Sequence, residues 1–158
     1  MKSNKVLGFE KTEMEAMVES LNLLLANLHV HYQKLRNYHW NVTGGEFFEI
    51  HELTEVEYNQ VLTEIDDVAE RIRVFGAYPM STLKEYLSKS EIKETKVKHN
   101  AKEIVKEILD DFGVLISLMI DTIELTQDMG DVSTNEMLTG FMKRREKMHW
   151  MLNAFITE

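Results

Sequence analysis

The sequence predicts an all-α protein: one bundle of four long helices. Three observations point to it. Apolar residues recur at alternating steps of three and four through most of the chain. One proline, seven glycines and long runs rich in Leu, Glu, Lys and Met favour helix over sheet. With 158 residues and 44% hydrophobic content the chain can bury one proper core, so a single domain over residues 12–158 is expected behind a short tail, residues 1–11.

Thr12-x-x-Glu15 reads as a capping box at the head of the first helix. Met14, Met17, Leu21, Leu24, Leu28, His31, Leu35 and Tyr38 make one seam, and Val18, Leu25, Tyr32 and His39 form a row beside it. A stripe that wide predicts packing against more than one neighbour. The helix should end near Trp40, where Thr43-Gly44-Gly45 breaks it. A second helix, from near Phe47 to about Gly76, carries His51, Tyr58, Leu62, Ile65, Ala69 and Ile72 on one face, with Pro79 just beyond. Thr82-x-x-Glu85 caps a short helix, TLKEYL, inside a long connection. The third long helix carries Val97, Ala101, Ile104, Ile108, Phe112, Leu115, Met119 and Ile123, and loosens at Asp128-Met-Gly-Asp131. Ser133-x-x-Glu136 caps the fourth, whose seam is Leu138, Phe141, Arg145, Met148, Leu152 and Phe155. Short turns within each helix pair and some twenty residues between the pairs give the ferritin-like connectivity.

Composition narrows the chemistry. There are no cysteines, so disulfides and thiolate metal sites are excluded. The opening MKSNKVLGFEK lacks the apolar stretch of a signal peptide, and no run of about 18 apolar residues could span a bilayer, which predicts a cytoplasmic protein with no membrane partner. The formal charge of −9 repels nucleic acid and favours cations.

Ferritin-like bundles hold two metals inside one chain with Glu from two helices and Glu-x-x-His from the other two. This chain has one Glu-x-x-His, Glu146 to His149, so that intrachain centre is not expected. Asp66 and Glu70, four apart in IDDVAERIR, share a helical face instead. Two carboxylates with one or two imidazoles suit Fe²⁺ and leave positions open for an oxidant. The candidate imidazoles are His39 and His51, either side of the Gly-Gly turn in RNYHWNVTGGEFFEIHE. Fifteen residues of helix, roughly 22 Å, separate His51 from Asp66. Metal–ligand bonds are about 2 Å. Either the two pairs are unrelated, or a second copy packs antiparallel and the histidines of one chain face the carboxylates of the other, giving two identical sites per dimer.

HWNVTGGEFFEIHE followed by DDVAERIRVFG resembles the Dps family, DNA-binding proteins from starved cells or mini-ferritins. The likeness covers nearly the whole chain, including the short helix at 82–88. It implies a homo-oligomer of twelve subunits, a hollow shell built from two-fold dimers, with a two-iron site at each dimer interface. By position, His39 and His51 come from one subunit and Asp66 and Glu70 from its mate. The implied activity is a ferroxidase: Fe²⁺ is oxidised, preferentially by hydrogen peroxide, ferric mineral is stored inside, and DNA is spared oxidative damage. In that scheme Glu70 anchors and bridges iron with Asp66, and the imidazoles complete a weakly held second position. Trp40 lies beside the site, as an electron donor or as an amphipathic wedge at the interface. Glu52 and Glu55 suit either a mineral nucleation patch or ordinary helix surface. Asp121, Asp128 and Asp131 are candidates for an acidic three-fold pore that concentrates cations.

The family name suggests DNA binding, but this chain argues otherwise. The tail holds Lys2, Lys5 and Lys11 against Glu10. A shell of twelve such chains would carry on the order of a hundred negative charges, so DNA binding is expected to be weak or absent. An iron-oxidising storage enzyme is therefore favoured over a DNA-compacting structural protein or a helical module without metal chemistry.

Overall fold

The computed structural model describes residues 7–157, which places the tail lysines Lys2 and Lys5 outside the described residues. The elements are α1 (Lys11–Asn41), α2 (Phe47–Val74), α3 (Leu83–Lys89), α4 (Ala101–Met129) and α5 (Val132–Ile156). The two antiparallel hairpins α1–α2 and α4–α5 pack together along α1 and α4, and α3 lies against α1 within the crossover. None of the described helices is long and apolar enough to cross a membrane.

The first seam is buried as its spacing predicts: Met17, Leu21, Leu24, Leu28, Leu35 and Tyr38 form the wall that meets Ile104, Ile108, Phe112, Leu115 and Met119 of α4. Two caps differ from expectation. The N-cap of α1 is Glu10, whose amide donates to the Glu13 carboxylate at 2.7 Å, and Thr12 lies inside the helix. The N-cap of α5 is Asp131, not Ser133. At α1 the local Glu10–Glu13 capping box sets the start, and at α5 the pairing of Asp131 with Arg71 of α2 favours the earlier residue. Thr82 caps α3 as expected. Val97 lies before α4, whose N-cap is Asn100.

The buried side of α2 is also rotated from the sequence reading. It consists of Ile50, Thr54, Glu57, Val61, Glu64, Ile65, Val68 and Ile72, while Leu62 is half exposed. Glu57 and Glu64 can be buried because α5 supplies a cation for each, Arg144 and Arg145. Likewise the buried Asp111 of α4 accepts from His31 Nδ1 at 2.9 Å and from Lys34 Nζ at 2.6 Å. These carboxylates of the bundle interior are neutralised by the chain itself.

Asparagines of α1 hold the crossover. Asn22 Oδ1 accepts from the Met80 amide, Asn27 Oδ1 accepts from the amides of Glu91 and Ile92, and Asn37 Nδ2 donates to the Lys96 carbonyl. From the other side Glu107 of α4 takes Thr95, Lys98 and the Tyr38 hydroxyl. Burial opposes ionisation of Glu107, but those donors outweigh it and lower its pKa. This attachment is therefore full above the ordinary carboxylate range and is lost as the pH falls through the lowered value.

Candidate functional site

The hairpin turn starts where α1 runs out of helix-compatible residues. Gly44, at φ +107°, takes a conformation closed to most side chains and turns the chain into α2. This brings His39, near the end of α1, against His51 in the first turns of α2. Their rings stack with centroids 3.8 Å apart and planes 17° from parallel. Each Nδ1 bonds the other residue's backbone carbonyl at 2.8 Å. A carbonyl only accepts, so both Nδ1 atoms carry protons, and the neutral form of each ring has its lone pair on Nε2. Neither Nε2 has a hydrogen bond among the described residues. A donor on one nitrogen and a free pair on the other is how metal-binding imidazoles are oriented.

An aromatic surround holds the pair. Phe47 stacks on His51 at 5.0 Å, and Tyr58 meets His39 edge-on at 5.3 Å. Tyr32 packs edge-on against Tyr58, and Arg36 lies over both Tyr32 and the exposed ring of Trp40. Burial first, and then the Glu55 carboxylate, raises the Tyr58 phenol above its ordinary pKa. The sequence reading did not connect Tyr32, Arg36, Phe47 and Tyr58 with the site. The signal was available, since Tyr58 is seven residues after His51 and Tyr32 seven before His39, two helical turns in each case.

Asp66 and Glu70 are exposed and make no hydrogen bond or ion pair among the described residues. They lie one turn apart on the unbroken α2, Asp66 roughly 22 Å and Glu70 roughly 28 Å down the rod from His51. Among the described residues no three His, Asp or Glu side chains converge closely enough to hold an ion. One outward stripe of α2 nevertheless carries His51, Glu55, Tyr58, Leu62, Asp66 and Glu70 at steps of four and three. Glu52 is exposed beside it, and Glu146 and His149 are exposed on α5.

The three aspartates near the α4–α5 corner separate. Asp121 and Asp128 are exposed. Asp131 is buried: it accepts from the Thr134 amide at 3.1 Å and the Thr134 hydroxyl, and it pairs with Arg71 Nη2 at 2.8 Å. Its carboxylate is used up in capping α5 and tying it to α2, so it does not face solvent as a pore residue would.

Residues 18–158 match the family model of the ferritin-like domain. The chain is 37% identical over 142 residues to general stress protein 20U of Bacillus subtilis, covering 90% of this chain and 98% of that one. It is 35% identical over 154 residues to a DNA protection during starvation protein of Porphyromonas gingivalis, covering 98% and 97%. The crystal structure of the Dps protein of Vibrio cholerae O1 superposes with a TM-score of 0.95 at 34% identity, over 99% of both chains. The chain belongs to the Dps family of ferritin-like proteins. That structure is described as a member of a broad superfamily of ferritin-like diiron-carboxylate proteins.

Within this Dps-family chain, Asp131 is assigned to the fold. Asp131→Ala should cost on the order of 3 kcal/mol in chemical denaturation, from a lost cap and a partly buried ion pair. Asp121→Asn and Asp128→Asn should stay within about 0.5 kcal/mol of the parent.

Proposed function

We propose that this chain is a ferroxidase of the mini-ferritin kind, which oxidises Fe(II) with hydrogen peroxide at sites shared between two subunits. The observation that carries this is the split donor set. His39 and His51 present two Nε2 lone pairs, while the unpaired carboxylates of Asp66 and Glu70 lie far down the same outward stripe of α2. Neither half suffices alone. An antiparallel copy that brings His51 opposite Asp66 and Glu70 has its two-fold axis crossing α2 between Tyr58 and Leu62. The half-exposed Leu62 then sits at the centre of the contact. The exposed Trp40, Leu83 and Leu87, which border a groove of about 660 Å³ between α1 and α3, extend the apolar surface available to the second copy.

Iron is the substrate. Asp66 and Glu70 neutralise the ferrous charge, with Glu70 as anchor and bridge, and the imidazoles of the mate hold the second, weaker position. Two ferrous ions each give one electron to peroxide. Its O–O bond breaks, and with two protons both oxygens leave as water. Because both electrons are delivered together, no hydroxyl radical is released, and this is how DNA is protected. Trp40 serves as the amphipathic wedge beside the site or as an electron donor to it. Twelve subunits enclose the ferric mineral, for which Glu52 and Glu55 offer exposed carboxylates. Asp121 and Asp128 draw cations inward, and Asp131 is left out of that role. The assembly works in the cytoplasm, and with a charge of −9 per chain it holds DNA weakly or not at all.

Two measurements check this. After anaerobic Fe²⁺ loading and addition of peroxide, Glu70→Ala should form ferric absorbance at least tenfold more slowly than the parent; equal rates would remove the site assignment. In a gel shift with linear DNA at about 150 mM salt the shell should leave the DNA free, and tight retention would contradict the charge argument.

A further inference from the structure

We infer that His99, at the end of the crossover, is a positioning residue that sets the geometry of the His39–His51 pair; this rests on reading that pair as the metal-binding half of the proposed site. The last carbonyls of an α-helix have no partner within it. In α1 two of them are capped by imidazoles from distant segments. His51 Nδ1 donates to the His39 carbonyl at 2.8 Å, and His99 Nδ1 donates to the Asn41 carbonyl at 2.6 Å. The carbonyl of His99 then accepts the Thr43 amide at 2.9 Å. His99 therefore grips the chain at both Asn41 and Thr43, between the end of α1 and the Gly44 turn.

That grip acts on the imidazoles through the backbone. The stack exists because the carbonyl of residue 39 reaches Nδ1 of residue 51 and the carbonyl of 51 reaches Nδ1 of 39. Both bonds depend on the spacing between the last turn of α1 and the first turns of α2. His99 is itself anchored from behind, because the strap before it is fixed by Asn37 to Lys96 and by Glu107 to Thr95 and Lys98. Without His99 the Asn41 carbonyl loses its cap, the final turn of α1 frays, and the Nε2 atoms lose their common setting. A group bonded directly to a metal ligand is typically worth tenfold or more in metal affinity, and His99 acts one step further back, through the Asn41 carbonyl.

The test uses the assembled protein and Co²⁺ alone, titrated anaerobically and followed by its visible absorption. His99→Ala should weaken Co²⁺ binding by about threefold to tenfold, at most the low end of what a direct partner of a ligand contributes. His99→Asn, whose amide N–H falls where Nδ1 was, should restore parental binding. His99→Gln, whose N–H lies one bond too far, should behave as Ala. With ferrous iron and peroxide the loss should appear in KM more than in kcat. Equal binding by parent and His99→Ala, or equal behaviour of the Asn and Gln variants, would overturn the inference while leaving the proposed site standing. A parent that binds no Co²⁺ would overturn both.

Discussion

The stiffness of α2 governs the rest. It is 28 residues of unbroken helix, with imidazole at one end of its outward stripe and carboxylates near the other. A rod of that kind cannot fold back to unite its own ligands. If the two pairs serve one ion, as proposed, a second molecule has to complete the set, and the symmetric solution uses the same stripe twice. Under the proposed function, assembly and activity become one property, since a two-fold contact across Leu62 would complete a site on either side of it.

The interior makes the same point from the opposite direction. Glu57, Glu64 and Asp111 are buried carboxylates of the kind a ferritin-like bundle can turn toward metal. Here each has a cation from its own chain: Arg144, Arg145 and Lys34. Their negative charge is spent on holding the four helices together. The carboxylates of Asp66 and Glu70 have no such partner among the described residues, and they are exposed. Uncompensated negative charge is on the surface, where a mobile cation and a second subunit can reach it.

Much of this was legible in the sequence, for identifiable reasons. The α1 and α4 seams follow helical periodicity, and the turn at Gly44 and the long crossover follow from glycine and polar punctuation. The approach of His39 to His51 follows from the Gly44 turn, and the separation of His51 from Asp66 from counting residues along α2. What was not legible depended on contacts between distant segments. Nothing local distinguishes Glu57 and Glu64 from surface glutamates until Arg144 and Arg145 arrive from α5. Asp131 looked like one more acid near a corner, and only the approach of Arg71 turns it inward. The place of His99 could not be read from the sequence, because its partners are backbone groups of Asn41 and Thr43, which carry no sequence signature. Tyr58 and Tyr32 could have been placed at the site by their spacing of two turns from His51 and His39.

Subunit complementation tests the shared site most directly. One variant lacks the imidazoles, His39→Ala with His51→Ala, and the other lacks the carboxylates, Asp66→Ala with Glu70→Ala. Each alone should be inactive with Fe²⁺ and peroxide. Unfolded together in equal amounts and reassembled, half of the dimers are mixed and each mixed dimer regains one intact site, so about a quarter of the parental activity should return. If the mixture stays as inactive as its components although mixed dimers form, the ligands do not come from two chains and the account is wrong.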